Sequence, residues 1–271
     1  MKRKIYIFIN ILFYLLTILV LVLNNPFKAS IINENNIFIL LITFLCIHIF
    51  KCIKQYFMLI ESDIHISEFI PIYVKATFCS IVLPYKSGEL YKSYLYGYKI
   101  NDYMKGFLTI IVDKFFEAIV LLSILIPYTL KNNESIKTII WLLLIFVILF
   151  IVIYLCFKST YYYLNKHFVL YRKSKQTIFM LNFLEKCNEV YEYISNLIKG
   201  RVLIILILTI LSWVFEWIFV NALHISSFLD YINSFFFGMP SYVVSNYVII
   251  AIIVFICSEC LFILRNRSDN R

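Results

Sequence analysis

Two short charged stretches stand out in an otherwise apolar chain. The first, residues 83–92, contains a proline, a glycine, an acid and two lysines. The second, residues 113–117, places two acids and a lysine inside a long apolar run. A charged group at the centre of a bilayer costs about 2.5–3.5 kcal/mol on insertion scales. Charged side chains in such positions are therefore the first candidates for a functional site.

The first stretch has the residue types of an anion-binding turn. Pro84 ends one segment, and Gly88 allows a tight turn or a close backbone approach. Glu89 in the first turn of the following helix suits the positive helix end. Exposed amides at that helix N-terminus, together with Lys86 and Lys92, can hold a phosphate. We therefore predict that Lys86, Gly88 and Lys92 bind a lipid phosphate and that Glu89 belongs to the charged lining.

The second stretch has the spacing of one helix face. Asp113 and Glu117 are four residues apart, and Lys114 is three residues from Glu117, so these side chains can meet. Two acids and one base do not neutralise each other, so the trio needs a second cation, a protonated acid or water. Lys86 or Lys92 is the candidate cation. The alternative is an ion-pair cluster that only fixes neighbouring segments to this helix.

Glu216 is a lone acid midway through a later apolar run. We expect it to face the bundle interior, toward Lys114, and to complete the charged lining. His48 and His224 lack metal-ligand spacing, and the sequence contains no nucleotide-binding loop, catalytic triad or zinc ligand set. We therefore expect no metal, no cofactor and no catalytic residue, which argues against a conventional enzyme.

Composition places the chain in the membrane class. Of its 271 residues, 62% are hydrophobic, whereas soluble domains average about 45–50%. Apolar runs long enough to cross about 30 Å of hydrocarbon recur throughout. We predict an all-α polytopic membrane protein, a single transmembrane domain over 1–271. Its six full spans are predicted at 5–23, 37–58, 107–130, 138–157, 202–223 and 242–264.

Basic residues predict the orientation of these spans. With the N-terminus inside, 21 lysines and arginines lie in cytoplasmic segments and three in outer segments. This asymmetry predicts that both termini face the cytoplasm and that the protein lies in the cytoplasmic membrane. The net charge is +9, and the basic residues responsible for it flank the spans, where they meet anionic headgroups. Nucleic acid is therefore not expected as a partner, and the sequence does not indicate an oligomeric state.

Residues 64–83 do not fit a full span because they contain Glu68, Pro71 and Lys75. We predict a re-entrant element over about 64–100, since irregular backbone is tolerated at membrane depth where protein or water surrounds it. An interfacial amphipathic helix is the alternative. If both halves of the element cross fully, the number of spans becomes eight and the termini stay inside.

A second segment outside the six spans has helical amphipathicity. Over residues 176–199 apolar side chains recur every three or four positions, and acids and lysines occupy the other face. We predict a cytoplasmic amphipathic helix there, lying at the interface before the fifth span.

The two charged stretches together resemble the motifs of the flippase-like transmembrane family, typified by the membrane domain of lysylphosphatidylglycerol synthases. The first motif is the proline, basic turn and Gly88-Glu89 within residues 80–90. The second is Asp113-Lys114-x-x-Glu117, where the family usually has Glu-Arg-x-x-Asp. The late glycine-rich turn of the family is reduced here to Gly238-Met239-Pro240.

The resemblance implies lipid handling rather than transfer of lysine to lipid, because the soluble aminoacyl-transfer domain of the synthases is not found in these 271 residues. It therefore favours a protein that is not an enzyme without deciding the question. It implies translocation of an anionic phospholipid or a polyprenyl-phosphate-linked lipid in envelope or surface-glycan biogenesis. One alternative is a non-catalytic partner subunit of a glycosyltransferase or another envelope enzyme. A further alternative is an intramembrane transferase acting on a lipid-linked sugar.

Overall fold

A computed structural model describes residues 2–24, 37–62, 64–83, 87–131, 138–170, 175–223, 228, 231–232 and 242–268. These residues are almost entirely helical and contain no strand. The helices are α1 (Lys2–Asn24), α2 (Ile37–Leu59), α3 (Ile66–Val82), α4 (Gly88–Ile100), α5 (Tyr103–Lys131), α6 (Thr138–Leu170), α7 (Lys175–Ile198), α8 (Val202–Ala222) and α9 (Tyr242–Ser268). A 3-10 turn, Ile60–Ser62, follows α2.

Four helices in the described ranges are long and apolar enough to cross a membrane. They comprise Lys4–Leu23, Ile37–Ser62, Thr138–Val169 and Val202–Ala222. The prediction of an all-helical, multi-pass membrane protein is therefore confirmed. The third and sixth predicted spans form α5 and α9, but α5 carries the charged stretch and the apolar part of α9 is only Ser245–Cys260. The number of spans stays a prediction.

The helices fall into two compact units. The first is formed by Met1–Ile110 with Ile207–Arg271, and the second by Ile111–Leu206. The single transmembrane domain expected over 1–271 stays a prediction, because this division does not test it.

Close helix crossings in the first unit depend on glycine. A Cβ atom on Gly88 would lie 2.3 Å from Ser80 Cα, so the start of α4 packs directly on the backbone of α3. A Cβ atom on Gly106 would lie 2.4 Å from the backbone nitrogen of Gly97, which brings α5 against α4. Small residues let helix backbones approach closely in membranes. These contacts therefore set the geometry of α3, α4 and the first turn of α5.

Helix α1 packs on the α3–α4 pair through aromatic side chains. The Phe13 and Tyr91 rings stack with centroids 4.6 Å apart, and the Tyr6 and Tyr98 rings stack at 4.0 Å. The Tyr91 hydroxyl donates to the Asn10 side-chain oxygen. Tyr91 is also buried in a hydrophobic cluster with side chains of α3. The face of α1 opposite these contacts is exposed and apolar, as expected for a helix next to lipid.

In the second unit, α6 and α7 form an antiparallel helical hairpin. The Tyr191 ring of α7 stacks on Tyr154 and Phe157 of α6, with centroids 5.2 and 5.1 Å apart. The acids and lysine at the centre of α7, Glu185, Lys186 and Glu189, are exposed. The helix expected at 176–199 is thus present as Lys175–Ile198, and its position at the cytoplasmic interface stays a prediction.

Candidate functional site

The first unit contains a buried group of polar side chains from five helices and one intervening segment. We call it the polar cluster, and it consists of His48 and Lys51 of α2, Tyr73 of α3, Lys92 of α4, Glu216 of α8, Tyr231, and Tyr247 of α9. His48 and Lys51 are three residues apart in α2, so they lie on the same face of the helix. They therefore connect the two branches of the cluster.

The first branch is a buried ion pair. The Lys51 ammonium lies 3.0 Å from Glu216 Oε2, and the two side chains are 16% and 0% exposed. The Tyr231 hydroxyl donates to Glu216 Oε1 at 2.8 Å. The Trp213 ring lies 5.6 Å below the Lys51 ammonium. Both carboxylate oxygens thus have partners, which offsets part of the cost of burying an ionised acid.

The second branch is centred on His48. Its Nε2 lies 2.9 Å from the Tyr247 hydroxyl, and its Nδ1 lies 3.4 Å from the Tyr73 hydroxyl. The Lys92 ammonium lies 4.8 Å from the centroid of the Tyr73 ring. Lys92 is only 4% exposed, so this cation–π contact occurs where the cation is desolvated and strongest. Tyr73 therefore links a buried cation to the imidazole.

The polar face of α2 continues for one more turn. Lys54 is completely buried, and the neighbouring Gln55 accepts a 2.6 Å hydrogen bond from the Tyr96 hydroxyl. Lysine is almost never fully buried unless its charge is compensated. Helix α2 thus carries a histidine, two lysines and a glutamine in a mostly apolar sequence.

A small cavity of about 50 Å³ lies next to the polar cluster, lined by His48 and Tyr73 and by apolar side chains of α2, α3 and α9. Thr77 also lines it, and the buried Thr77 hydroxyl has no hydrogen-bond partner among the described residues. A water molecule needs about 10–15 Å³ of such space and two or more polar partners. The cavity therefore has room for water next to His48, but not for a lipid headgroup.

The predicted phosphate-binding turn is described only in part. Lys86 lies outside the described residues. Gly88 has a packing function against Ser80, and Glu89 accepts a 2.9 Å hydrogen bond from the Ser80 hydroxyl. Lys92 points to Tyr73 in the polar cluster. Phosphate binding by these residues stays a prediction.

The second charged stretch lies in the other unit. The Lys114 ammonium and Glu117 Oε2 are 2.7 Å apart, the pairing that their spacing allows. Asp113 and Glu117 are 0% and 5% exposed. The expected joint site of the two stretches stays a prediction because they belong to different units. Glu216, expected to face Lys114, is buried and forms its ion pair with Lys51.

Sequence reasoning did not identify Lys51, Tyr73, Tyr231 or Tyr247 as site residues. The one available signal was the spacing of His48 and Lys51 within an apolar helix. In the described ranges, no group of three or more His, Cys, Asp or Glu side chains could hold a metal ion.

The fold and the polar cluster define a multi-pass helical membrane protein with charged groups buried among its helices. No family model, no curated protein and no solved structure matches the chain.

Proposed function

We propose that the protein binds the anionic headgroup of a membrane lipid, a phospholipid or a polyprenyl phosphate, and helps to move it across the cytoplasmic membrane. The observation that carries this proposal is the presence of two lysines in one polar cluster between membrane helices, the buried Lys92 and Lys51, which is 16% exposed. Intramembrane ionisable groups are rare and most often mark the path of a polar substrate or ion. The motif resemblance to the flippase-like transmembrane family supports the same function.

The contacts of Lys92 suit a cation that exchanges partners. A cation–π contact with a tyrosine ring is worth about 2 kcal/mol when desolvated. A phosphate oxygen forms a shorter, charge-assisted bond that is about twice as strong as a neutral hydrogen bond. An entering phosphate would therefore compete with the Tyr73 ring for the Lys92 ammonium. Since the cavity of about 50 Å³ is too small for a headgroup, binding requires the helices that line it, α2, α3 and α9, to separate.

The proposed topology has six spans, cytoplasmic termini and α3–α4 as the re-entrant element. Helix α3 has 17 residues and α4 has 13, so they are about 26 and 20 Å long at 1.5 Å per residue. Both are shorter than the hydrocarbon core of about 30 Å. A re-entrant pair therefore fits these lengths better than two further crossings, which favours six spans over eight.

A lipid-movement assay with the full chain in vesicles tests this function. The vesicles contain a fluorescent phosphatidylglycerol, and a membrane-impermeant quencher reports the fraction on each side. Lys92→Met is compared with Lys99→Met, a matched change at a position of the same helix that is 35% exposed. Losing a hydrogen bond to a charged group costs about 1.5–3 kcal/mol, so Lys92→Met should slow lipid movement about tenfold or more, while Lys99→Met should not.

Melting temperatures and size-exclusion profiles establish that both variants are folded. Equal rates for the wild type and Lys92→Met would contradict the headgroup site. If the wild type moves no lipid but co-purifies with a glycosyltransferase, the protein is a partner subunit. If it turns over a lipid-linked sugar in a manner that depends on Asp113 or Glu117, it is a transferase.

A further inference from the structure

The second unit contains a larger cavity that lies outside the polar cluster. It is a groove of about 390 Å³ between α6 and α7, and Ile111 of α5 also contributes to it. Phe146 and Phe150 line it on α6, and Val190 and Ile194 line it on α7. Its volume lies within the range of about 300–1,000 Å³ that is typical of ligand pockets.

We propose that this groove holds one hydrocarbon tail of a membrane glycerophospholipid. Helix α6 belongs to the helices that are apolar and long enough to cross a membrane. The groove-lining residues Leu149 and Ile153 are 55% and 57% exposed, so the groove opens toward the surroundings of that helix. Those surroundings are lipid. Water does not fill apolar cavities, and an empty groove would lose the dispersion contacts of its walls.

The polarity along the groove also matches a lipid. At one end the Tyr154 and Tyr191 rings stack with centroids 5.2 Å apart. Lys158 is exposed one turn beyond Tyr154. From Thr138 to Phe157, α6 has no charged residue. Tyrosine prefers the level where headgroups meet hydrocarbon. The tail therefore lies toward Phe146, and the polar end of the lipid lies near the tyrosines and Lys158.

This site is independent of the proposed headgroup transport, because it shares no residue with the polar cluster. The groove would hold a lipid that stays bound to the protein, whether or not the protein moves other lipids. A test that counts retained lipid therefore separates the two proposals.

Native mass spectrometry of the full chain provides that test. The protein is taken from nanodiscs of phosphatidylglycerol and phosphatidylethanolamine into detergent, and the retained lipids are counted. Val190→Trp and Ile194→Trp fill the groove. Leu155→Trp is the matched control, since Leu155 lies on α6, is 69% exposed and does not line the groove. We expect one lipid on the wild type and on Leu155→Trp, and at least a tenfold lower lipid-bound fraction for both filled variants.

Lipid retention by both filled variants, or no retained lipid on the wild type, would overturn the proposal. A lipid-free dimer in the same spectra would also overturn it, in favour of a second copy in the groove. Photo-crosslinking of the wild type does not depend on how the variants fold. A phospholipid with a diazirine near the tail terminus should label residues 146–157 and 187–194, and labelling confined to other segments would contradict the site.

Discussion

The Lys51 ammonium and the Glu216 carboxylate form a 3.0 Å ion pair between residues 165 positions apart in sequence. Next to them, Phe50 and Phe215 stack with ring centroids 5.6 Å apart. The pair therefore joins α2 to α8 at a point where Glu216 is fully buried and Lys51 is only 16% exposed. Breaking such a pair is costly because the remaining charge is left uncompensated.

Single removal of either charge should destabilise the protein strongly. We expect Lys51→Met or Glu216→Leu to lower the free energy of unfolding by about 3–5 kcal/mol. The double variant should recover most of that loss, because it leaves no buried charge. Unfolding of the full chain in mixed detergent–SDS micelles measures these values. The same exchange at the exposed pair Lys99 and Glu68 is the control, and an additive loss in the buried double variant would contradict the coupling.

Tyr73 offers a separate test of the cation–π contact. Tyr73→Phe keeps the ring beneath Lys92 and removes the hydroxyl near His48, so it should cost about 0.5–1.5 kcal/mol. Tyr73→Leu also removes the ring and should cost about 2 kcal/mol more. Thermal unfolding of the two variants in detergent measures the difference. Equal losses would show that the ring contributes no stability through Lys92.

The contact between Gly97 and Gly106 predicts an effect of backbone crowding. Gly106→Ala places a methyl group against the backbone of α4 and should cost about 3 kcal/mol, the upper end of the range for overpacking. Gly200 is the contrast, because its φ is +73° and a Cβ there meets open space. Gly200→Asn should be nearly neutral, since asparagine tolerates left-handed backbone. Resistance to proteolysis in detergent compares the stability of the Gly106→Ala and Gly200→Asn variants. Equal resistance of the two variants would contradict the close contact between α4 and α5.

The exposed pair of Glu68 and Lys99 predicts a small pH dependence. Their oxygen and nitrogen atoms are 2.7 Å apart, and the hydrogen bond from Lys99 is the main cause that lowers the pKa of Glu68. A lowered carboxyl pKa stabilises the folded state above the unfolded pKa, and this contribution disappears as the pH falls through the folded pKa. Acid should therefore destabilise the wild type slightly more than Lys99→Met. Parallel pH profiles of the two melting temperatures would contradict this.

The sequence predicted the positions of the helices better than it predicted which charged side chains contact each other. Apolar length alone located α2, α6 and α8, because a segment in lipid must satisfy its backbone hydrogen bonds internally. The helix expected at 107–130 extends over Tyr103–Lys131, since Asp102 Oδ1 accepts hydrogen bonds from the amides of Met104 and Lys105 at its start.

The partners of the charged residues depend on the register between distant helices, which local patterns do not encode. A lysine near the end of an apolar run, such as Lys51, is typical of a side chain that reaches the interface. Only its proximity to Glu216 assigns it to the polar cluster. Gly88 was equally compatible with a tight turn and with a close approach, and the backbone of Ser80 distinguishes these possibilities.

The long sequence separation between Lys51 and Glu216 has a consequence for biosynthesis. Ribosomes make α2 well before α8, so Lys51 enters the membrane when its carboxylate partner does not yet exist. Because an ionisable side chain is costly within a membrane until it has a partner, α2 has a reason to remain near the translocon or a chaperone until α8 arrives. The first unit therefore completes its folding only after α8 has been synthesised. Truncated chains that end before Glu216 should accordingly be degraded by membrane proteases.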